Sequence, residues 1–235
     1  MPTIDLLSGG AAKGLVAAVQ AGFLAQTGFG ITGSFNAVGM MKDQLLAGAA
    51  CDVVILTEAL IKQLGAEGHV VVGSEQALGL VKTGIAVKQG AVSPPLANAD
   101  QLRTALEAAS AIYFPDPVKA TAGIHFMKVL RELGIHTALA ARLRPCPNGA
   151  AAMQALAQAD ASDAIGCTQV SEIIFAPGVQ LAANLPQAFE LATVYSAAVC
   201  TRATHPDAGA ALITLLTSHE AAALRSAGGF EPVPA

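Results

Sequence analysis

Short apolar runs alternate with helical patterns along nearly all of these 235 residues, and no other feature of the sequence restricts the fold so much. Such alternation prescribes βαβ units around a largely parallel sheet. Strands are expected at 4–7, 31–35, 52–56, 84–88, 111–114 and 164–167. Helices are expected at about 12–26, 36–46, 57–64, 99–109, 121–133 and 148–158. Leu15, Val16, Val19 and Phe23 make one apolar stripe on the first helix, and Phe126, Val129, Leu130 and Leu133 make another at i, i+3, i+4 and i+7. Thr57 is the expected N-cap of the third helix. Segments 179–185 and 193–201 read as strands with no helix between them, so antiparallel pairing is expected there. Two helices close the chain, one opening at Pro206, a favourable first helical residue, and one at about Ser218.

Composition narrows the function classes. Apolar residues make up 53% and charged residues 13%, which excludes a disordered chain. No apolar run reaches the roughly 18–20 residues of a membrane helix, so no membrane insertion is expected. The net charge is −4, there is no Lys/Arg cluster, no Trp and only two Tyr, which removes the usual means of gripping nucleic acid. An anionic ligand would therefore be drawn by local N–H groups and one or two cations, not by the overall field. Cys51, Cys146, Cys167 and Cys200 form no C-x-x-C pair and read as buried free thiols, which fits a reducing compartment. Met1-Pro2-Thr3 leads directly into a strand without a signal-peptide pattern, so the expectation is cytoplasmic as the sequence stands and periplasmic if a leader was removed. The five histidines show no metal-ligand spacing and no nucleotide-binding glycine motif follows a strand, so neither a metal nor a cofactor is expected.

Three strand ends share one design, small, polar or glycine residues and then a helix at once: Ser8-Gly9-Gly10, Ser34-Phe35-Asn36-Ala37 and Lys119-Ala120-Thr121-Ala122-Gly123. Two further loops resemble them, Pro147-Asn148-Gly149 and Cys167-Thr168-Gln169. Helix starts leave N–H groups unpaired and carry partial positive charge, and open α/β sheets bind ligands at the carboxyl ends of their strands. Each loop alone is explained by helix capping; five of a kind favour an anion site. Lys119 is the one cation inside these loops, and His125 lies one turn into the helix that follows it. Glu172 follows the last loop and also suits the start of a short helix.

At these loops the chain resembles the type II periplasmic solute-binding family, in its molybdate-binding branch, almost end to end. Leu7-Ser8-Gly9-Gly10 is similar to the family's first ligand loop, and Gly33-Ser34-Phe35-Asn36-Ala37 to its second. Asp116-Pro117 with Thr121-Ala122-Gly123, the turn Ala176-Pro177-Gly178-Val179, and the tail from Leu215 to Pro232 follow in the family's order. The resemblance implies a two-lobed α/β fold of mostly parallel sheets with an interlobe cleft, one lobe from 1–80 plus 204–235 and the other from 81–203. It implies anion contacts at Ser8, Asn36, Ala37, Ala122, Gly149 and Thr168, and the loops add Gly9, Gly10, Lys119, Thr121, Asn148 and Gln169. Asn36-Ala37 stands where molybdate binders offer serine, and Thr168 where they have tyrosine. Residues 168–173 look closer to a divergent subgroup that includes enzymes such as aconitate isomerase.

Two functions follow from this reading. One is a binding protein for a small anion, an oxyanion or a di- or tricarboxylate, which presents its ligand to an ABC permease if the chain is exported. The alternative is a cytosolic isomerase of an unsaturated tricarboxylate on the same scaffold. An isomerase needs a base within reach of an allylic carbon, and Ser8, Lys119, His125 and Glu172 are the candidates.

Overall fold

Short runs of branched and aromatic apolar residues enter the interior as strands, and most strands hand over to a helix. The computed structural model describes residues 1–234. It comprises two compact units, Met1–Val81 with Thr193–Ala235, and Lys82–Ala192. The first unit opens with β1 (Thr3–Gly9), α1 (Lys13–Thr27), β2 (Gly30–Asn36), α2 (Val38–Leu46), β3 (Val53–Thr57) and α3 (Glu58–Ala66). β4 (Gln76–Lys88) carries the chain into the second unit. There it forms α4 (Ala99–Ala108), β5 (Ile112–Pro115), α5 (Thr121–Glu132), α6 (His136–Leu139) and β6 (Leu143–Cys146). α7 (Gly149–Gln158), β7 (Ile165–Gln169), α8 (Val170–Phe175) and β8 (Val179–Asn184) complete that unit. β9 (Ala192–Val199) returns the chain to the first unit, which closes with α9 (Pro206–Thr217) and α10 (Ala222–Ala227).

In the first unit the strand order is β2-β1-β3-β9, with β1 parallel to β2 and β3, and β9 antiparallel to β3. Leu15, Val16, Val19 and Phe23 are all buried, as the stripe requires. Asp52 anchors the start of β3. Its carboxylate accepts the N–H of Asp5 and the N–H of His205, each at 2.8 Å, which ties β1 and the lead into α9 to one buried charge. Cys51 and Cys200 lie with their sulfurs 3.4 Å apart as free thiols, and Cys146 and Cys167 are free as well.

In the second unit β8 and β7 flank β4 antiparallel, and β7, β5 and β6 run parallel. One face buries Ile85, Phe114, Phe126, Val129, Leu130, Ile165 and Cys167 under α4 and α5, with the Phe114 and Phe126 rings 5.5 Å apart. The opposite face buries Ala86, Met153, Leu156 and Ile173 under α7 and α8. Gly166 packs closely there: a Cβ would come within 2.6 Å of Met153 Cε, which would have to shift.

Several elements differ from the sequence expectation, each for a tertiary reason. β4 starts at Gln76, not 84. β4 neighbours β9 in the sheet order, and Leu80 exchanges two hydrogen bonds of 2.8 Å with Glu231, so partners distant in the chain make a strand of a stretch containing Gly79 and Lys82. β6 and α6 carry little apolar pattern. β6 exists by pairing with β5 as an edge strand, where Pro145 is tolerated. β8 and β9 are both antiparallel, but to β4 and β3, not to each other. Because β9 belongs to the β3 sheet, the second crossing between units falls at Ala192/Thr193, ahead of the position near 203 read from the sequence. The last helix starts at Ala222, and Ser218 instead accepts the Ala221 N–H at 3.1 Å ahead of it.

Candidate functional site

The three parallel strands of the second unit end side by side. Pro115 pairs in register with Cys146, and Tyr113 with Gly166, so two residues further Pro115 is level with Thr168. α5, α7 and α8 therefore all begin at one carboxyl edge. α5 starts without a side-chain cap: Ala120 is its N-cap, and the Asp116 carboxylate that might have served is folded back onto the Val118 and Lys119 N–H groups at 2.7 and 2.8 Å. The first-turn amides of Thr121, Ala122 and Gly123 are thus left for another acceptor. Gly123 allows α5 to approach this closely, since a Cβ there would lie 2.2 Å from the Pro115 carbonyl oxygen. α7 is capped by Asn148, whose Oδ1 accepts the Ala151 N–H at 2.9 Å.

Glu172 occupies the space between α7 and α8. The Thr168 hydroxyl donates to its Oε2 at 2.5 Å, and the Gln169 N–H donates to the same carboxylate. With Gln169 as N-cap and Glu172 three residues on, this is half of a capping box. The Oε2 also lies directly over Gly149, where a Cβ would meet it at 1.9 Å, so the carboxyl sits at the amino end of α7. The residue keeps some exposed surface, but its carboxyl is the enclosed part. Burial pushes that carboxyl up to about 7, against the lowering effect of the Thr168 and Gln169 bonds. The site thus holds one acid poised to gain or lose a proton near neutrality.

The first unit carries a similar edge. Gly9 and Asn36 pair in register at the ends of β1 and β2, and α1 and α2 follow them. Gly9 is obligatory, since a Cβ would approach Val38 Cγ1 to 2.8 Å. Ala37 is the N-cap of α2 without a side-chain cap, so the opening amides of α2 are also uncapped.

Residues 4–231 match the family described as bacterial extracellular solute-binding protein. The chain belongs to that family. It is 29% identical over 244 residues to aconitate isomerase from Pseudomonas sp., covering 99% of this chain and 89% of that protein. The Azotobacter vinelandii periplasmic molybdate-binding protein superimposes with a TM-score of 0.81 at 19% identity, over 99% of this chain and 100% of the other. The sulfate-binding protein SubI from Mycobacterium tuberculosis H37Rv does so with a TM-score of 0.79 at 17% identity, over 99% and 88%. These likenesses give this solute-binding-family chain the type II periplasmic-binding fold. No helix among the described residues is long and apolar enough to cross a membrane.

Of the residues singled out in this family member's sequence, Lys119, Thr121, Ala122, Asn148, Gly149, Thr168, Gln169 and Glu172 fall on the carboxyl edge of the second unit. Ser8, Gly9, Gly10, Asn36 and Ala37 fall on that of the first. Several side chains are committed locally. The buried Ser8 hydroxyl donates to the Gly9 carbonyl at 2.9 Å, and Asn36 Oδ1 accepts the Ala37 N–H at 2.9 Å. The Thr168 hydroxyl is spent on Glu172. His125 donates from Nε2 to the Phe189 carbonyl at 2.8 Å, which ties α5 to the segment ahead of β9. Backbone amides, more than these side chains, are the donors on offer. Sequence reasoning placed Thr168 and Gln169 in a loop. They are the last two residues of β7, so they face opposite sides of the sheet.

Proposed function

We propose that this chain binds a small polycarboxylate at the carboxyl edge of β6-β5-β7. The observation that carries this is the Glu172 carboxyl at the amino end of α7. In its protonated form the Glu172 carboxyl can share its proton with a ligand carboxylate, and a polycarboxylate has further carboxylates to reach the other donors of this edge. The uncapped amides at 121–123 supply neutral donors for a further ligand oxygen. Full-length likeness to aconitate isomerase, a protein named for a tricarboxylate, supports the same ligand class. Ser8, Asn36 and Ala37 are proposed as anion-contacting positions of the first unit. In a transport role such as the names of structural relatives describe, the substrate-binding part of an ABC transporter, the partner is the membrane permease.

With Glu172 titrating at about 7, cis-aconitate binding is expected to weaken about tenfold between pH 6 and pH 8, the change in its protonated fraction. Isothermal calorimetry with cis-aconitate, molybdate and sulfate at both pH values checks this. Stronger binding of molybdate or sulfate than of cis-aconitate would overturn the carboxylate reading.

A second reading is favoured by the same carboxyl. A base with a pKa near 7 is suited to take an allylic proton and return it two carbons along, shifting the double bond with no co-reactant. Incubation with cis- or trans-aconitate, followed by NMR, is expected to show interconversion that slows by about 10²-fold or more in Glu172→Gln. No interconversion by the unmodified protein removes the enzyme reading and leaves the binding reading intact.

A further inference from the structure

Gln169 and Thr83 are direct partners in the antiparallel register of β7 and β4. Gln169 is 3% exposed and Thr83 1%. Neither the two side-chain amide atoms of Gln169 nor the Thr83 hydroxyl has a hydrogen-bond partner among the described residues. Buried polar groups are paired in the great majority of cases, and an unpaired one is destabilising. Three unpaired polar atoms on two facing residues are therefore costly unless something outside the chain satisfies them.

Their direction follows from strand geometry. The registered pair Ile85 and Cys167 lies one step along the same face, in the apolar core under α5. Alternation places Thr83 and Gln169 on that face too, where the apolar surface ends and α5 begins. Thr168 and Glu172 lie on the opposite face, against Gly149. The edge of β7 thus presents two separate chemistries: a titratable carboxyl on the α7 side and neutral donors on the α5 side.

We propose that Thr83 and Gln169 form a second subsite, which takes one carboxylate arm of the ligand through the Gln169 amide N–H and the Thr83 hydroxyl. This rests on the polycarboxylate reading above. The Gln169 carbonyl oxygen is left to accept from water or from a ligand hydroxyl. The subsite would make the protein selective for ligands with a carboxylate on each side of β7, and would discriminate a tricarboxylate from a shorter dicarboxylate.

The test compares cis-aconitate with maleate, which lacks only the carboxymethyl arm, in Gln169→Met and Thr83→Val. Both substitutions preserve shape and remove groups that bond nothing among the described residues, so denaturation midpoints are expected to hold or rise. Calorimetry is expected to show a loss of cis-aconitate affinity of tenfold or more in each variant, with maleate affinity unchanged. If cis-aconitate and maleate affinities fall equally, or neither falls, the subsite is overturned and polycarboxylate binding stands. If the unmodified protein binds neither compound, both proposals fall together. A drop in midpoint with affinity intact would assign the pair to ordered water in the fold and likewise overturn the subsite.

Discussion

Glu172→Gln is expected to stabilise the protein by about 2–3 kcal/mol at pH 8 while changing little at pH 4. The carboxyl titrates near 4.5 when exposed and at about 7 in the folded chain. Between those values the folded state binds a proton that the unfolded state has released, so its stability contribution is fully present below 4.5, declines as pH rises, and is gone above 7. A shift of this size corresponds to roughly 3 kcal/mol, and residual exposure and the loss of one charge-assisted bond reduce it. Glutamine stays neutral throughout and keeps an acceptor for the Thr168 hydroxyl or the Gln169 N–H. Urea denaturation of both proteins at pH 4, 6 and 8 reads the difference. A gap that does not change with pH would mean that the Glu172 carboxyl is not held out of water. A result as expected would identify a residue that weakens the fold at physiological pH, as acids retained for chemistry or recognition commonly do.

Gly123→Ala is expected to destabilise by about 3 kcal/mol and to weaken any ligand held by the α5 amides. The added Cβ would lie 2.2 Å from the Pro115 carbonyl oxygen and 2.3 Å from that of Asp116. Neither oxygen can yield: Pro115 is paired within the β5 sheet, and the Asp116 turn is braced by its own carboxylate on two N–H groups. α5 would have to lift off the sheet, opening the core around Phe126. Gly149 is different, because a Cβ there meets the Glu172 and Thr168 side chains, which can swing away. Chemical denaturation and cis-aconitate calorimetry on Gly123→Ala follow the two effects. Native stability in that variant would show that α5 is less tightly set on β5 than the geometry requires.

Much of the fold was legible because its signals are local. Leu15, Val16, Val19 and Phe23 bury one helical stripe in any context, and Thr57 caps α3 as its position suggests, accepting the Leu60 N–H at 3.4 Å. The five strand–helix junctions were visible for the same reason, since a small or polar residue before a helix is a property of a few adjacent positions. The opening of β4 was not legible, because its partners, β9 and Glu231, are distant in the chain. Thr83 sat in that unread stretch and drew no attention.

From the sequence alone came the βα alternation, the parallel character of both sheets and the net acidic charge without a Lys/Arg cluster. These depend on periodicity and charge, which need no partner to be read. The tertiary structure alone decided which side chains remain available. Ser8 and Thr168 look like donors in a string of letters, but each hydroxyl is occupied by a neighbour. Glu172 looked like a helix-start residue, and became a near-neutral acid only because folding strips water from its carboxyl. Desolvation and hydrogen-bond pairing are properties of surroundings assembled from distant parts of the chain, and no local pattern encodes them.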